Sequence, residues 1–543
     1  MIRALHAMRT AVAIVAVATM LAGCGTTSDA GVSAASGNVI SFGIGEPQNP
    51  LVPGNTNEGN GALVLNRVLF TGLVATKPDG TIVNENAEKI EPNGDNTQYT
   101  VTLRKGLKFS DGTPITAESY VKAWSYTANV KNAQKNAGYL SYIKGYDDLQ
   151  KDGLNGDEQL SGLSVKDDTH FTVTLNEPSS VFTTVLTFMG FYPLPESFYK
   201  DPKSFGQNPV GNGPYKFKSW KHGSQIEVVP NTYYTGYYKP KNDGIIFKMY
   251  TDTNAQYADV QAGNLDITSA IPPSALKNLL NDKTVKAYSE PGPVRVALGI
   301  PENLKHFSGE EGKLRRKAIS LAINRETITK KILNGLASPA TDFASPVFKP
   351  YSGSLKGSDV LRYDAAEAKK LWNQANDISP WDGEFTITYN ADGTYKETYD
   401  AIVNQLKNTL GIDAGTNPIP TQQEYLTNAY AGKISTAYHD IWGPDYPAVE
   451  DYLTPIYATS SQGARNYGKY GNGEFDDLLA KASAASSTDE ANKLYVQAEE
   501  ILLEDLPSIP LYNTNATSAT VKNLKGVAFN WDSSPTFWAI SKS

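Results

Sequence analysis

The only cysteine of the 543-residue chain, Cys24, ends a short apolar segment near the start of the sequence. Arg3 and Arg9 come before an apolar run at residues 11–20, and the sequence LAGC occupies residues 21–24. This order is typical of a lipoprotein signal peptide, which a peptidase cuts before the cysteine. The thiol is then alkylated by diacylglycerol, and several acyl chains bind a membrane more firmly than one. The sequence therefore predicts lipidation at Cys24.

The predicted processing sets limits on the remaining chain. Residues 1–23 are expected to be removed as the signal peptide, and residues 24–37, which are small and polar, to form a flexible tether. The apolar run is shorter than the roughly 20 residues that a membrane-spanning helix needs. No free thiol would be left, which excludes disulfides, thiolate metal sites and a cysteine nucleophile.

The charge of the chain argues against a nucleic-acid partner. The formal charge is −8 and becomes −10 when the two arginines of the signal peptide are removed. Nucleic acids are bound by clustered lysine and arginine, and an acidic exported chain offers the opposite balance.

The sequence has no motif typical of a histidine-dependent enzyme. His170, His222, His306 and His439 lack the spacing of metal ligands, and neither G-x-S-x-G nor H-E-x-x-H occurs. His439 stands beside Asp440, so a His–Asp pair serving a nearby serine stays open as an alternative. We expect no catalytic residue, no metal site and no cofactor.

The sequence predicts both strands and helices as the elements that would position a site, so the predicted fold class is α/β. Period-two alternation predicts strands at 99–103, 170–175 and 385–389. A helix is predicted after Thr116, with Trp124 on its inner face, and another after the capping sequence that begins at Ser487. A further helical region is predicted from about Lys313 to Leu333, interrupted near Asn324.

Several longer motifs follow in a fixed order along the chain. They are FTGLV at 70–74, YTVTLRKGLKFSDGTP at 99–114, PVGNGPY at 209–215, AGNLD at 262–266, LRRKAI at 314–319 with AINR at 322–325, WGPDYP at 442–447, and LPSIPLY at 506–512.

This ordered set closely resembles the extracellular solute-binding proteins of oligopeptide and dipeptide ABC transporters, bacterial solute-binding protein family 5. The resemblance implies a two-lobed, periplasmic-binding-protein-like fold with a hinge and an additional third domain. It places domain I (lobe 1) at 38–82, 207–300 and 511–543, domain II at 83–206 as an accessory domain packed on lobe 1, and domain III (lobe 2) at 301–510.

The resemblance also implies ligand-binding residues in the motif at 442–447. Asp445, three residues after Trp442, would pair with the ammonium group of a peptide; otherwise Asp445 is a turn residue that caps a helix near Val449. Trp442 would form an aromatic wall, unless it only packs in the core. Tyr446 would reach the ligand main chain through its hydroxyl, or simply pack. The sequence after Tyr446 departs from the family pattern, which often has Asp-Pro there.

A second contact is expected in the polar loop at residues 55–60. By resemblance, Asn57 and Glu58 would contact the ligand main chain, although the composition equally describes an ordinary surface loop. The basic residue that would bind the ligand carboxylate is not indicated by the resemblance.

The function implied is that of a substrate-binding lipoprotein, lipid-anchored at the extracellular face of the cytoplasmic membrane. It would capture oligopeptides between its lobes and deliver them to an ABC permease, as a monomer. The alternatives are the same fold binding an oligosaccharide or a metal chelate, a receptor for signalling peptides, and a hydrolase.

The lipid anchor is tested by Cys24→Ser. We expect the unaltered chain to be found in the membrane fraction, with an intact mass that exceeds the polypeptide from Cys24 onward by its acyl groups. The variant should lack those groups and keep its signal segment, because the cysteine is the substrate of both steps. Ser28→Ala is the matched control. Equal acylation of both variants would contradict the assignment.

Overall fold

The structure is a computed structural model and describes residues 37–348 and 355–543. The predicted signal peptide, Cys24 and nearly all of the predicted tether lie outside the described residues and remain predictions. Across the two described ranges, no helix has both the length and the apolar character that a bilayer crossing requires.

The strands range from two to fourteen residues in length. In chain order they are β1 Val39–Ile44, β2 Val74–Thr76, β3 Ile82–Asn84, β4 Ala87–Pro92, β5 Gln98–Leu103, β6 Leu163–Asp167, β7 His170–Thr174, β8 Tyr215–Lys221, β9 Gln225–Pro230, β10 Gly244–Met249, β11 Ile267–Thr268, β12 Lys286–Gly299, β13 Ala337–Pro339, β14 Phe385–Asn390, β15 Ala414–Ile419, β16 Ala437–Trp442, β17 Ser508–Thr520, β18 Leu524–Lys525 and β19 Ser541–Lys542.

The helices alternate with these strands and are longest in the second half of the chain. They are α1 Gly59–Leu65, α2 Ala117–Ala128, α3 Phe182–Val185, α4 Glu196–Lys200, α5 Pro202–Phe205, α6 Thr253–Ala262, α7 Pro273–Leu276, α8 Gly309–Ala322, α9 Arg325–Thr327, α10 Ala365–Ile378, α11 Lys396–Leu410, α12 Gln422–Tyr430, α13 Glu450–Tyr457, α14 Gly473–Ser483 and α15 Thr488–Asp505.

The predicted elements are found close to their predicted places. The three alternating patterns correspond to β5, β7 and β14. Thr116 is the N-cap of α2, and the Ser487 side chain accepts the Glu490 N–H at the start of α15. The region expected from Lys313 begins earlier, at Gly309, and its helix α8 ends at Ala322, before Asn324 caps the short α9.

Two lobes are built on one large sheet. Within the described residues this sheet has the order β15-β14-β16-β12-β17-β11-β1-β10-β9-β8, and β13 also pairs with β17. The half from β11 to β8 forms lobe 1, and the half from β16 to β15 forms lobe 2. The long strands β12 and β17 belong to both halves and run antiparallel from one lobe into the other.

The ladder between β12 and β17 is interrupted where the strands cross between the lobes. Pro291 pairs with Asn515 and Arg295 with Asn513, while the residues between are out of register. Pro291 and Pro293 have no N–H to donate, which accounts for the break. A Cβ on Gly292 would lie 2.6 Å from the Thr514 carbonyl oxygen, so only glycine fits this approach. We name this place, residues 291–295 opposite 513–515, the crossing point.

An accessory domain packs against lobe 1. Its sheet has the order β4-β5-β7-β6, and helix α2 covers it. Trp124 of α2 is fully buried, donates its indole N–H to the Phe191 carbonyl at 2.8 Å, and meets the ring of Phe171 edge-on. The apolar core of this domain is continuous with that of lobe 1, which includes Phe42 and Phe247.

Trp124→Ala tests this packing. The change removes a fully buried indole and its hydrogen bond, so we expect the free energy of unfolding to fall by about 3–5 kcal/mol. Urea unfolding followed by circular dichroism measures the effect, with Glu118→Ala on the exposed face of the same helix as the control. A loss no larger than that of the control would show that α2 is not packed as described.

Candidate functional site

Strand β16 carries the predicted tryptophan to the edge of lobe 2 beside the crossing point. In the antiparallel register with β12, Trp442 lies opposite Arg295. The ring is partly buried, its indole N–H has no partner within the described residues, and the guanidinium of Arg465 lies 5.3 Å from its centroid. Trp442 therefore packs against the apolar core of lobe 2 that includes Tyr452 and Leu453.

Three carboxyl groups gather in the turn that follows β16. Asp445 is partly buried, and Glu450 and Asp451, the first residues of α13, are 7% and 2% exposed. The Asp445 N–H donates to the Asp451 carboxylate at 2.6 Å. Among the residues described, no lysine, arginine or histidine forms an ion pair with any of the three. We name Asp445, Glu450 and Asp451 the acidic cluster.

Burial makes the ionised form of these three carboxyl groups unfavourable. It raises the pKa of Asp445, against the opposing effect of the Tyr139 hydroxyl. Burial also raises the pKa of Glu450. The pKa of Asp451 lies well above its usual range because of burial and then because of the neighbouring Asp445 and Glu450 charges. A cation brought to this place would oppose all three shifts, because a nearby positive charge favours the ionised carboxylates.

The accessory domain reaches the same turn with two tyrosines from its 3₁₀ helix Ala137–Tyr142. The Tyr142 hydroxyl lies 3.1 Å from the Tyr446 hydroxyl, which in turn donates to Glu450 at 2.7 Å. Tyr139 stacks on Phe188 with ring centroids 3.8 Å apart. The Tyr446 hydroxyl is thus occupied by protein groups, and its side chain is 3% exposed.

The predicted loop at 55–60 contacts the N-terminal end of the same accessory-domain segment, residues 136–142. The Asn136 amide donates to the carbonyls of Pro53 and Thr56, at 2.7 and 2.8 Å. Asn57 is exposed and accepts from Asn49. The Glu58 carboxylate caps α1 by accepting the N–H groups of Asn60 and Gly61. The segment 136–142 therefore contacts both predicted halves of the site.

A cavity of about 460 Å³ adjoins this loop. It lies between α1, the crossing point and residues 530–538, and its walls combine polar side chains such as Asn515 and Ser534 with apolar ones such as Leu63 and Trp538. The Arg67–Asp532 ion pair forms part of one wall, and the Asn530 side-chain oxygen has no partner in the described structure. Such a lining offers hydrogen bonds and room for water to a ligand of variable shape. Representative lining residues are Gly59, Ala62, Val294, Thr514, Asn515 and Ser534.

Two alternatives from the sequence are contradicted by these contacts. Asp445 does not cap α13, whose N-cap is Val449 without a side-chain hydrogen bond. His439 is not paired with Asp440: its Nδ1 lies 2.7 Å from the Tyr399 hydroxyl, and burial lowers its pKa to about 4. The Asp440 carboxylate is bound by Arg295 and Arg465 instead.

The described residues include no group of three or more His, Cys, Asp and Glu side chains suited to a metal ion. The acidic cluster comes from one short stretch of the sequence. Its members Glu450 and Asp451 lie close to Asp445 in the sequence, and this proximity is a signal from which they could be predicted. Tyr139, Tyr142 and Arg465 come from distant segments, and no local pattern distinguishes them.

Two lobes joined by the crossing strands, with an accessory domain on lobe 1, form the architecture that the resemblance implied. The model of the bacterial extracellular solute-binding proteins, family 5, matches residues 81–464. The chain belongs to this family, whose members are extracellular or periplasmic binding proteins.

Curated relatives match over most of both chains. The dipeptide-binding protein DppE of Bacillus subtilis is 28% identical over 449 residues, 81% of this chain and 80% of that protein. The periplasmic murein peptide-binding protein MppA of Escherichia coli is 28% identical over 478 residues, 86% of each chain. The solved structure of MppA in its unliganded open form has a TM-score of 0.81 at 25% identity, covering 93% of this chain and 99% of the other.

Asp451→Asn tests the strain in the acidic cluster. A carboxyl whose pKa is raised by folding binds its proton more tightly in the folded protein than in the unfolded chain. The free energy of unfolding therefore falls as the pH rises and the carboxyl loses its proton, a loss that is complete above the raised pKa. Replacement by the neutral amide should therefore stabilise the ligand-free protein at neutral pH, by about 1 kcal/mol or more. The gain should disappear at acid pH, where Asp451 is protonated.

Thermal unfolding at several pH values measures this difference. The exposed Asp413→Asn serves as the matched control on the same lobe. A lower melting temperature of Asp451→Asn at neutral pH would show that the carboxylate is stabilising as it stands.

Proposed function

We propose that this chain is the substrate-binding lipoprotein of an ABC importer and that it captures oligopeptides in the cleft between its lobes. The acidic cluster carries this proposal. Three carboxyl groups, two of them almost fully buried, meet without a basic partner among the described residues. Such an arrangement is costly in the empty protein and is relieved by a bound cation.

The α-ammonium of a peptide supplies that cation. Peptides of variable sequence share only their main chain and their two charged ends, so a receptor that accepts many of them must read those features. Asp445 is the proposed ammonium ligand and Trp442 the wall beside it. The similarity to DppE, a dipeptide-binding protein, and to MppA, a murein peptide-binding protein, supports a peptide ligand here.

The main chain of the ligand would lie along the cavity between α1 and the crossing point. Asn57 is the proposed contact from the loop, since its side chain is exposed. Glu58 would act by fixing the start of α1, because both of its oxygens accept backbone N–H groups. Tyr446 would hold the acidic cluster through Glu450 and shape the pocket beside the ammonium.

Binding would favour closure of the lobes. A ligand that contacts both sides stabilises the closed arrangement by its differential affinity for that state. Micromolar binding corresponds to about 8 kcal/mol, of which a part offsets the closing motion. The closed receptor is the form that the permease would accept. Lipidation at Cys24 would keep this monomeric receptor at the outer face of the membrane.

The non-peptide alternatives fit the site less well. A neutral oligosaccharide would leave the acidic cluster without a counter-charge. The buried and neutral His439, together with an Asp440 carboxylate held by two arginines, gives no support to a hydrolase.

Asp445→Asn separates an ammonium ligand from a structural residue. Isothermal titration should show about a ten- to hundredfold loss of affinity for peptides with a free amine, since a charge-assisted hydrogen bond is lost. The N-acetylated forms of the same peptides, weak binders from the start, should change little. Asp413→Asn, on the surface of the same lobe, is the control for the loss of one charge.

Equal losses for free and acetylated peptides would rule out the ammonium role of Asp445. Failure of any peptide to bind the unaltered protein would refute the proposed ligand class.

A further inference from the structure

Two tyrosines between β9 and β10 are exposed on lobe 1, where the other large aromatic rings are mostly buried. Tyr233 is 44% exposed and Tyr237 is 40% exposed. Their segment is held firmly, because the buried Glu85 carboxylate accepts the Tyr234 hydroxyl at 2.5 Å and the Tyr237 N–H at 2.8 Å. The exposure of the two rings is therefore a fixed property of this surface.

Exposed lysines surround these tyrosines. The Nζ of Lys108 lies 5.4 Å from the ring centroid of Tyr233, and the Nζ of Lys239 lies 5.8 Å from that of Tyr234. Lys241 follows two residues later and is also exposed. Aromatic rings and ammonium groups thus alternate along one side of lobe 1.

The chain enters lobe 1 beside this segment. Asn38, which directly precedes β1, donates its side-chain amide to the Lys241 carbonyl at 2.5 Å and its N–H to the Asp243 carboxylate at 3.1 Å. The Asn38 side-chain oxygen accepts the N–H of Lys542 in β19 at 2.7 Å. Strand β19 pairs with β18, which carries the exposed Lys525. Asn38 therefore lies between two lysine-bearing segments.

The segments that meet here carry a charge opposite to that of the whole chain. Residues 104–112, 231–243 and 521–528 hold seven lysines and arginines but two aspartates, in a chain with a formal charge of −8. Four of the exposed lysines form no ion pair with an acidic residue of the described ranges. Together with the two tyrosines we name them the tyrosine–lysine surface, which consists of Lys108, Tyr233, Tyr237, Lys239, Lys241 and Lys525.

The predicted lipid anchor is close enough to bring this surface to a bilayer. Residues 24–37 connect Cys24 to Asn38, and a random coil of that length has a mean span of about 20 Å. Tyr233 is eight residues from Lys241, so their Cα atoms can be at most about 28 Å apart. A tether of this length keeps a nearby surface at a high effective concentration relative to the membrane.

We propose that the tyrosine–lysine surface lies on the anionic lipid surface of the membrane in which Cys24 is anchored. Tyrosine is favoured at the level of the lipid headgroups, and lysines beside a membrane are attracted by anionic lipids. The contact would turn lobe 1 towards the bilayer and give the tethered receptor a preferred orientation. The proposal rests on the lipid anchor of the proposed function and does not depend on the ligand.

Energy transfer between the lipidated protein and labelled lipid headgroups tests this orientation. The protein is placed in vesicles of phosphatidylcholine alone or of phosphatidylcholine mixed with phosphatidylglycerol. Because lipidation consumes the thiol of Cys24, a dye can be attached selectively to Thr235→Cys, within the surface, or to Asn404→Cys, on the exposed side of α11 in lobe 2.

The dye at position 235 should show more transfer in the anionic vesicles than in the neutral ones. The difference should disappear at about 1 M salt, where the screening length falls to about 3 Å. The dye at position 404 should show no such gain.

Charge variants identify the residues responsible. Replacing Lys239, Lys241 and Lys525 together by glutamine should lower the ratio of membrane-bound to free orientations by about fivefold for each lysine. Tyr233→Ser with Tyr237→Ser should lower the transfer as well. The matched control replaces three exposed lysines of lobe 2, Lys369, Lys407 and Lys433, by glutamine and should have no effect. Equal melting temperatures show that the variants are folded.

Equal transfer from position 235 in neutral and anionic vesicles would overturn the proposal. A loss in the triple glutamine variant no larger than in its control would do the same. A gain that requires the permease in the vesicles would assign the surface to that protein instead. The intact mass separates this failure from failure of the anchor: a chain without acyl groups refutes both, whereas an acylated chain with equal transfer refutes the membrane contact alone.

Discussion

The pairing of β12 with β17 is the constraint on which both lobes depend. These strands place lobe 1 and lobe 2 in a single sheet, so the lobes cannot part without breaking a backbone ladder. The ladder has its longer interruption where Pro291 and Pro293 cannot donate and Gly292 meets the opposite strand, and a second, shorter register shift follows between Val296 and Ala297. Bending there disturbs the fewest hydrogen bonds, which makes the crossing point the natural place for closure.

The candidate site is tied directly to this crossing point. Arg295 is the first residue of β12 to resume pairing after the interruption, and it forms the buried ion pair with Asp440 of β16. Tyr452 of α13 donates its hydroxyl to the Pro293 carbonyl. The acidic cluster at the start of α13 and the charges around Asp440 thus have their positions set by the same few residues that interrupt the ladder.

The sequence predicted what is local and missed what is assembled from distant segments. Strands β5, β7 and β14 alternate with period two, and α2 and α15 begin at recognisable caps, so each could be read from neighbouring residues. The motif at 442–447 indicated where lobe 2 meets a ligand. Tyr139 approaches Asp445 and Tyr142 approaches Tyr446 across about three hundred residues of chain, and no local pattern indicates these contacts. The same is true of the buried ion pairs that join Asp440 to Arg295 and Arg465.

The acidic cluster links the proposed closure of the lobes to the charge of the ligand. The accessory domain already contacts lobe 2 through the Tyr142 and Tyr446 hydroxyls, so closing these surfaces further around the carboxyls without a cation would raise their free energy. A ligand ammonium reverses the sign of that contribution, because each carboxylate then gains an opposite charge in a medium of lower polarity. The same groups that oppose closure of the empty cleft therefore favour it once a ligand is present. A site of this kind discriminates by charge before any side-chain pocket is filled.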